Sequence, residues 1–254
     1  LKTAAEIDLP TPTFIPGLGK YELALSNYPQ AIERLNAGRL IFNTLVVGVV
    51  STIGTVITTV MAAFAFSRIK FPGREVIFTI FIATMMIPGE MMVITNYITV
   101  TKTAKSIFGH TGIDTYWAMI VPFLISVYYI YLLRQNFKQI PNELYYAAKV
   151  DGTSDLKYLL KIMVPIAMPT IITITILKLM GSWNAYVWPM MVTRKDEMRL
   201  ITTGLRSSFS DAEGRTAQGL QMAATTVVTL PLLFVFMFLR KYIMRGVSRS
   251  GIKG

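Results

Sequence analysis

The segment PNELYYAAKVDGTSDLKYLLKIMVPIAMP, residues 141–169, is a polar, helix-forming connector set between two apolar runs. Leu144, Tyr145, Ala147 and Ala148 suit a short helix opening at Pro141, where a missing N–H would have had no partner. Gly152 suits the left-handed end of that helix. Thr153 or Ser154 can cap a second helix, with Asp155 favourable against its positive end. Leu156, Leu159, Leu160 and Met163 recur at helical spacing, and Pro165 and Pro169 mark the join to the next apolar run. The expected product is a helix–turn–helix lying along a membrane surface. By periodicity alone it is either a docking element or an amphipathic helix resting on lipid headgroups.

The flanking runs set the class. Of 254 residues, 53% are hydrophobic and only 15% charged, against about a quarter charged in soluble domains, and mean hydropathy is +0.50. Several runs of about 20 residues are long enough to cross a hydrocarbon core as helices, and none alternates as barrel strands do. The fold class is therefore all-α, a polytopic transmembrane helical bundle. Net charge is +11. The cations sit at the ends of apolar spans, where they set topology and meet headgroups, so nucleic acid is not an expected partner. With no Cys and one His, His110 in a polar loop, the chain offers no disulfide, thiol chemistry or metal site.

Five spans are expected, at about 40–66, 76–95, 116–133, 162–187 and 220–239. The first is rich in Thr and Val, with Gly48 and Gly54 as small contact residues. The raw count of Lys and Arg on the two sides hardly discriminates. Tight clusters such as RIKFPGR and RKYIMRG, with few acids nearby, favour the side holding residues 141–161 as cytoplasmic. Residues 1–39 are then an extracytoplasmic segment, 40–245 the transmembrane domain and 246–254 a cytoplasmic tail. The chain opens at Leu1, and an exported polar segment without a signal implies a preceding span.

Residue order narrows the connector further. Tyr146-Ala147-Ala148, then three residues, Gly152, nine residues and Ile162-Met163-Val164-Pro165 resemble the E-A-A…G…I-x-L-P loop of ATP-binding-cassette (ABC) importer permeases. N-T-L at Asn43, R-x-x-F-P-G-R at Arg68–Arg74, M-M-I-P at Met85–Pro88, L-L-R-Q-N-F at Leu132–Phe137 and G-S-W-N-x-x-x-W-P at Gly181–Pro189 extend the resemblance over nearly all of residues 40–254. They look like the carbohydrate-uptake branch, in particular the second, shorter permease of maltose-type or glycerol-phosphate-type systems. The resemblance implies the type I importer permease fold with six spans and alternating access in a bacterial cell membrane. It implies as partners a second permease subunit, two ATPase subunits and an extracytoplasmic solute-binding protein. ATP and Mg would be held by the ATPases, with no cofactor on this chain. The tail Ser248–Gly254 would reach between the ATPases or end in solvent.

By the same resemblance Glu143, Tyr146, Ala147, Ala148, Asp151 and Gly152 form the ATPase-coupling element. The sequence departs from the pattern at Tyr146, where the family usually has Glu, and Glu143 on nearly the same helix face is the candidate substitute. Candidate pathway or gate residues are Glu90 and Lys178, because ionisable groups inside spans are costly and usually functional. Trp183, Asn184 and Tyr186 join them, since aromatic faces and amides suit sugar rings and hydroxyls. The bland readings are structural pins for the two charges and an interfacial aromatic belt for the tryptophans. No G-x-x-x-x-G-K-[ST] loop occurs, so ATP hydrolysis belongs to other subunits. The expected function is a sugar-importer permease subunit, with glycerol-phosphate esters or other polyols as the alternative solute. A self-contained channel or secondary transporter is more remote, lacking convincing repeats, and an intramembrane enzyme lacks catalytic groups.

Overall fold

A computed structural model describes residues 24–209 and 215–248, with isolated positions 2, 6 and 15, and side chains as far as residue 237. The tail from residue 249, expected either between the ATPase subunits or in solvent, lies outside the described residues, as does most of 1–23.

Helices α1 (Asn27–Leu35) and α2 (Ala37–Ser67) open the chain. Next come α3 (Arg74–Thr84), a 3₁₀ turn at Gly89–Met92, and α4 (Val93–Phe108). Then α5 (Tyr116–Ile120) leads through a 3₁₀ turn into α6 (Val127–Lys138). The connector supplies α7 (Asn142–Val150) and α8 (Asp155–Tyr158), and a π-helical turn at Leu159–Met163 leads into α9 (Val164–Trp183). Last are α10 (Val187–Val192), α11 (Ile201–Phe209) and α12 (Arg215–Ser248).

Three stretches are long and apolar enough to cross a bilayer unbroken: Ala37–Ser67, Asp155–Trp183 and Gln218–Met237. Two bent helix pairs bring the number to five if each pair is one span. Arg74–Thr84 and Gly89–Phe108 meet at 90°, and Tyr116–Phe123 and Val127–Lys138 at 42°. The expected second span, 76–95, is thus not one rod but breaks at Met85–Pro88. Pro88 cannot donate into a helix, and its ring disfavours helical geometry in the residue before it. The third span bends after Pro122 for the same reason, and runs on to Lys138. The helix that carries the fourth span starts outside it, in the connector, since α8, the π turn and α9 are continuous from Asp155, and it stops at Trp183, sooner than 187. Pro165 has no N–H for the carbonyl of Lys161, and a wider π turn is the usual accommodation of such a mismatch.

The chain divides into two compact units. One comprises residues up to Val47, Ile113–Thr115 and Ser182–Phe238. Its core joins Ala31, Leu35 and Leu40 to Trp183, Ile201, Phe209 and Ala224. The other comprises Gly48–Gly112, Tyr116–Gly181 and the chain after Phe238. There Ala63, Phe64, Leu133, Phe137, Tyr158, Met163 and Ala167 form one cluster. Packing is close where small residues permit it: a Cβ on Gly54 would lie 2.5 Å from Leu124 Cδ2, which bears out Gly54 as a contact residue.

Candidate functional site

The connector folds as a helix, a left-handed glycine and a second helix. Gly152 sits at φ +69°. Its N–H donates to Lys149 O at 3.1 Å and that of Thr153 to Ala148 O at 2.9 Å, the paired bonds of a Schellman end. Ser154 caps the next helix, accepting from Lys157 N at 3.4 Å. Across this hinge Asp155 receives Tyr145 Oη at 2.7 Å and Lys149 Nζ at 2.8 Å on one oxygen. The Lys149 ammonium, followed by the Tyr145 hydroxyl, holds the Asp155 carboxyl below the usual range. The Lys149 amine is pushed up by the same hydrogen bond, and the Tyr145 phenol by burial first and by Asp155 second. Lysine and acid are both more than 40% exposed, so the clamp sets geometry more than it adds energy.

Within the chain it is this clamp, and not the candidate substitute Glu143, that closes the hinge. Glu143 is exposed and pairs with no other described residue, whereas Tyr145, Lys149 and Asp155 tie the two helices together. Tyr146 is 52% exposed, Val150 88% and Leu144 43%. Ala147, Asp151 and Gly152 are exposed with them, and Ala148 is buried against the core. The second helix also departs from expectation. Leu159 and Met163 are buried but Leu156 and Leu160 are not. Tyr158 takes the inner face instead, its ring 5.1 Å from that of Tyr145 and 6.4 Å from that of Phe64.

Two arginines that look like loop charges in the sequence are internal fasteners. Arg68, 7% exposed, donates to Phe137 O at 2.9 Å, to Ile140 O at 2.5 Å and to Asn142 Oδ1. It thereby adds a charged donor to the carbonyls at and just beyond the end of α6 and grips the first residue of α7. Arg134, 3% exposed, donates to both oxygens of Glu75 at 2.7 and 2.8 Å and to Phe66 O at 3.0 Å. Its guanidinium lies 3.8 Å from the Phe78 ring centroid, a contact of about 2 kcal/mol where water is excluded. Neither is a solvated flanking charge, so neither speaks to orientation. The available signal was their place inside R-x-x-F-P-G-R and L-L-R-Q-N-F, two of the stretches that carry the family resemblance.

Lys178 donates to Phe123 O at 3.1 Å and lies 5.6 Å from that ring's centroid. Thr55 reaches the same carbonyl at 2.8 Å, and Thr58 reaches Leu124 O at 2.6 Å. Together they satisfy the backbone freed at the bend after Pro122. Glu90 is exposed at the 90° break and pairs with no described residue, so the two charges do not pair with each other.

In the other unit, buried Asn43 donates to Glu197 O at 2.7 Å and Arg199 O at 3.0 Å, fixing the turn before α11. In GSWNAYVWP, Trp183 and Trp188 are 7% and 6% exposed. They are core residues here, and Trp183 offers no aromatic face to a pathway, because α9 ends on it and packs it against α11 and α12. Asn184 is exposed and Tyr186 half-buried.

Comparison with known proteins gives the arrangement its context. Residues 54–249 match the family described as binding-protein-dependent transport system inner membrane component. The arabinooligosaccharides transport system permease protein AraQ of Bacillus subtilis (strain 168) is 30% identical over 213 residues, 84% of this chain and 73% of that protein. The sn-glycerol-3-phosphate transport system permease protein UgpE of Rhizobium meliloti (strain 1021) is 27% identical over 251 residues, 98% of this chain and 86% of that one. A chain from the crystal structure of a bacterial ABC transporter involved in the import of the acidic polysaccharide alginate superposes with TM-score 0.79. It covers 95% of this chain and 86% of its own, at 22% identity, which shows a shared fold. The family match spans most of the sequence, so the chain belongs to the binding-protein-dependent transport system inner membrane components and is a membrane permease subunit of an ABC importer.

Proposed function

We infer that this permease forms half of a translocation pathway for an oligosaccharide or related sugar, working by alternating access with a second permease subunit. Two ATPase subunits, holding ATP and Mg, drive it from the cytoplasm, and an extracytoplasmic binding protein delivers the solute. The observation that carries the reading is the rigid hinge at Gly152, whose exposed face offers Leu144, Tyr146 and Val150 beyond a base anchored by Arg68. That is a knob built to enter a cleft. Its mostly apolar face matches the absence of an acid at Tyr146, with Glu143 and Asp151 at its edges. This orientation puts the C-terminus in the cytoplasm, and the chain, without a phosphate loop, hydrolyses no ATP.

Helix α3 rises about 16 Å over its eleven residues, roughly half the hydrocarbon core. Its break and Glu90 then fall near mid-membrane if Arg74 stands at the interface. Irregular backbone and a carboxylate at that depth require a water-filled cavity or protein cover, which supports Glu90 as a pathway residue. Asn184 and Tyr186 remain the accessible polar and aromatic groups of their segment. A polyol phosphate is the second reading, supported by alignment with the glycerol-phosphate permease over 98% of the chain.

The test is uptake by the reconstituted four-subunit transporter with its binding protein. ATP-dependent uptake is expected, with Val150→Glu abolishing ATPase stimulation and sparing assembly of the permease pair. Uptake without any ATPase subunit, or full stimulation by the Val150→Glu transporter, overturns the reading.

A further inference from the structure

In the unit containing α10 and α11, a cavity of about 310 Å³ is lined by Tyr186, Thr193, Arg199, Thr203, Arg206 and Ser207, with no acidic side chain among the described residues of its wall. It shares Arg199 and Ser207 with a neighbouring cavity of about 340 Å³ whose wall holds Arg34 and Arg39 together with Asp196 and Glu197. Both are of the size that takes a small solute or a headgroup. The Arg206 guanidinium stands 5.8 Å from the Tyr186 ring centroid and makes no hydrogen bond or ion pair with a described residue. Arg199 pairs at 2.9 Å through one nitrogen with Asp196, itself 84% exposed, which leaves the rest of its fork open.

The hydroxyls complement these cations. Thr193 Oγ1 donates to Pro189 O at 2.6 Å, Thr203 Oγ1 to Leu200 O at 3.0 Å and Ser207 Oγ to Gly204 O at 3.1 Å. The two threonine protons are committed and Thr203 Oγ1 also accepts from Leu200 N at 3.1 Å, so towards the cavity the threonine oxygens can only accept, Thr203 through its remaining lone pair. A ligand that fits must therefore carry an anionic oxygen group for the guanidinium forks and O–H donors for the threonines, with an apolar edge against Tyr186.

We propose that this cavity is a binding site for a hydroxylated oxyanion, a phosphate ester of a polyol or a sugar acid. Two sources carry that chemistry, a transported solute or the headgroup of phosphatidylglycerol. The assignment rests on the importer reading only where it names the solute as a source.

The test uses the assembled transporter in nanodiscs of phosphatidylcholine. The rate at which phenylglyoxal modifies Arg206 is read by peptide mass spectrometry, with Arg74 as the reference site. Glycerol 3-phosphate or glucuronate should slow modification roughly tenfold when about nine-tenths of sites are filled, glucose should not, and Arg199→Gln should remove most of the protection while leaving the melting temperature unchanged. Protection in phosphatidylglycerol nanodiscs without added anion upholds the oxyanion site and assigns it to the headgroup. Equal protection by glucose, or none by either anion in either lipid, overturns the proposal. ATP-dependent uptake measured on the same preparation separates the two readings: uptake without protection sinks only this site, and protection without ATP dependence sinks only the importer reading.

Discussion

Arg68 holds the connector by one bond that can be cut separately from the rest. Its Asn142 contact reaches the first residue of α7, while its bonds to Phe137 O and Ile140 O close the end of α6. Asn142→Ala removes one hydrogen bond from a charged donor, worth about 1.5 kcal/mol at the low end of the range appropriate to a partly exposed acceptor. That is roughly tenfold in the local opening equilibrium. Arg68→Met removes all three bonds, leaving Phe137 O its Ile140 N–H, a loss of about 3–5 kcal/mol for three bonds from a charged donor. Hydrogen exchange of the transporter in nanodiscs should show the helical amides of residues 142–150 exchanging about tenfold faster with Asn142→Ala. Arg68→Met should produce a larger acceleration that extends into the last turn of α6. Amides of Arg74–Thr84, held by Arg134 instead, should be unmoved. The double variant should exchange no faster in α7 than Arg68→Met alone, because the bond is already gone. Additive acceleration, or protection in 142–150 indifferent to Asn142→Ala, refutes Arg68 as the anchor.

The hinge itself should respond to backbone and not to bulk. A Cβ on Gly152 meets nothing within 4 Å, so Gly152→Ala should cost only about 1–2 kcal/mol of left-handed strain, and Gly152→Asn less, as read by thermal melting; equal losses from both would point to a contact instead. The clamp should be insensitive to pH across the middle range. Asp155, depressed below its ordinary 3.8, contributes stability above that value and loses it as pH falls through its lower folded value. Lys149, raised above 10.5, contributes below that value and loses it as pH rises through its higher folded one. The exchange of hinge amides relative to those of α3 should thus be flat from pH about 5 to about 9, and a step near neutrality would mean another titrating group holds the hinge. Gly54→Val should destabilise the bent third span because its Cβ overlaps Leu124, and Leu124→Ala should restore the melting temperature on that background; no rescue would place the strain elsewhere.

Much of this was legible because helices and their ends are local. The run from Leu40 to Phe66 carries no charge, and the structure makes it one helix. The glycine and serine of the hinge announce their roles by chemistry that acts within four residues. The broken second span was not legible as a right angle, although Pro88-Gly89 marked the place, because the direction after a break depends on what each half packs against. Nor was burial of Trp183. Tryptophan at a span end fits a membrane interface, a gate or a core equally well, and only the neighbours from α1, α11 and α12 decide. The charges were misread for the same reason. Arg68 and Arg134 find their partners 69 and 59 residues away, a distance no window of sequence spans.

Those two arginines also bear on the tyrosine at position 146. An acid there would be expected to pin the connector from its own first helix. Here that pinning comes from behind, through Arg68 to the first residue of α7, and from across the hinge, through Asp155 to Tyr145 and Lys149. Neither fastening uses the outward face, so Tyr146 is released from a structural duty and can be selected for contact alone. A force applied to that face reaches α2 through the Arg68 side chain and α9 through the unbroken run from Asp155. The Gly152 turn, held on both sides, has little freedom to absorb it. An inserted acid at Tyr146 should therefore leave the hinge intact and alter only what binds to it: Tyr146→Glu should match the parent in hinge exchange while changing ATPase stimulation, and altered exchange with unaltered stimulation would return position 146 to the fold.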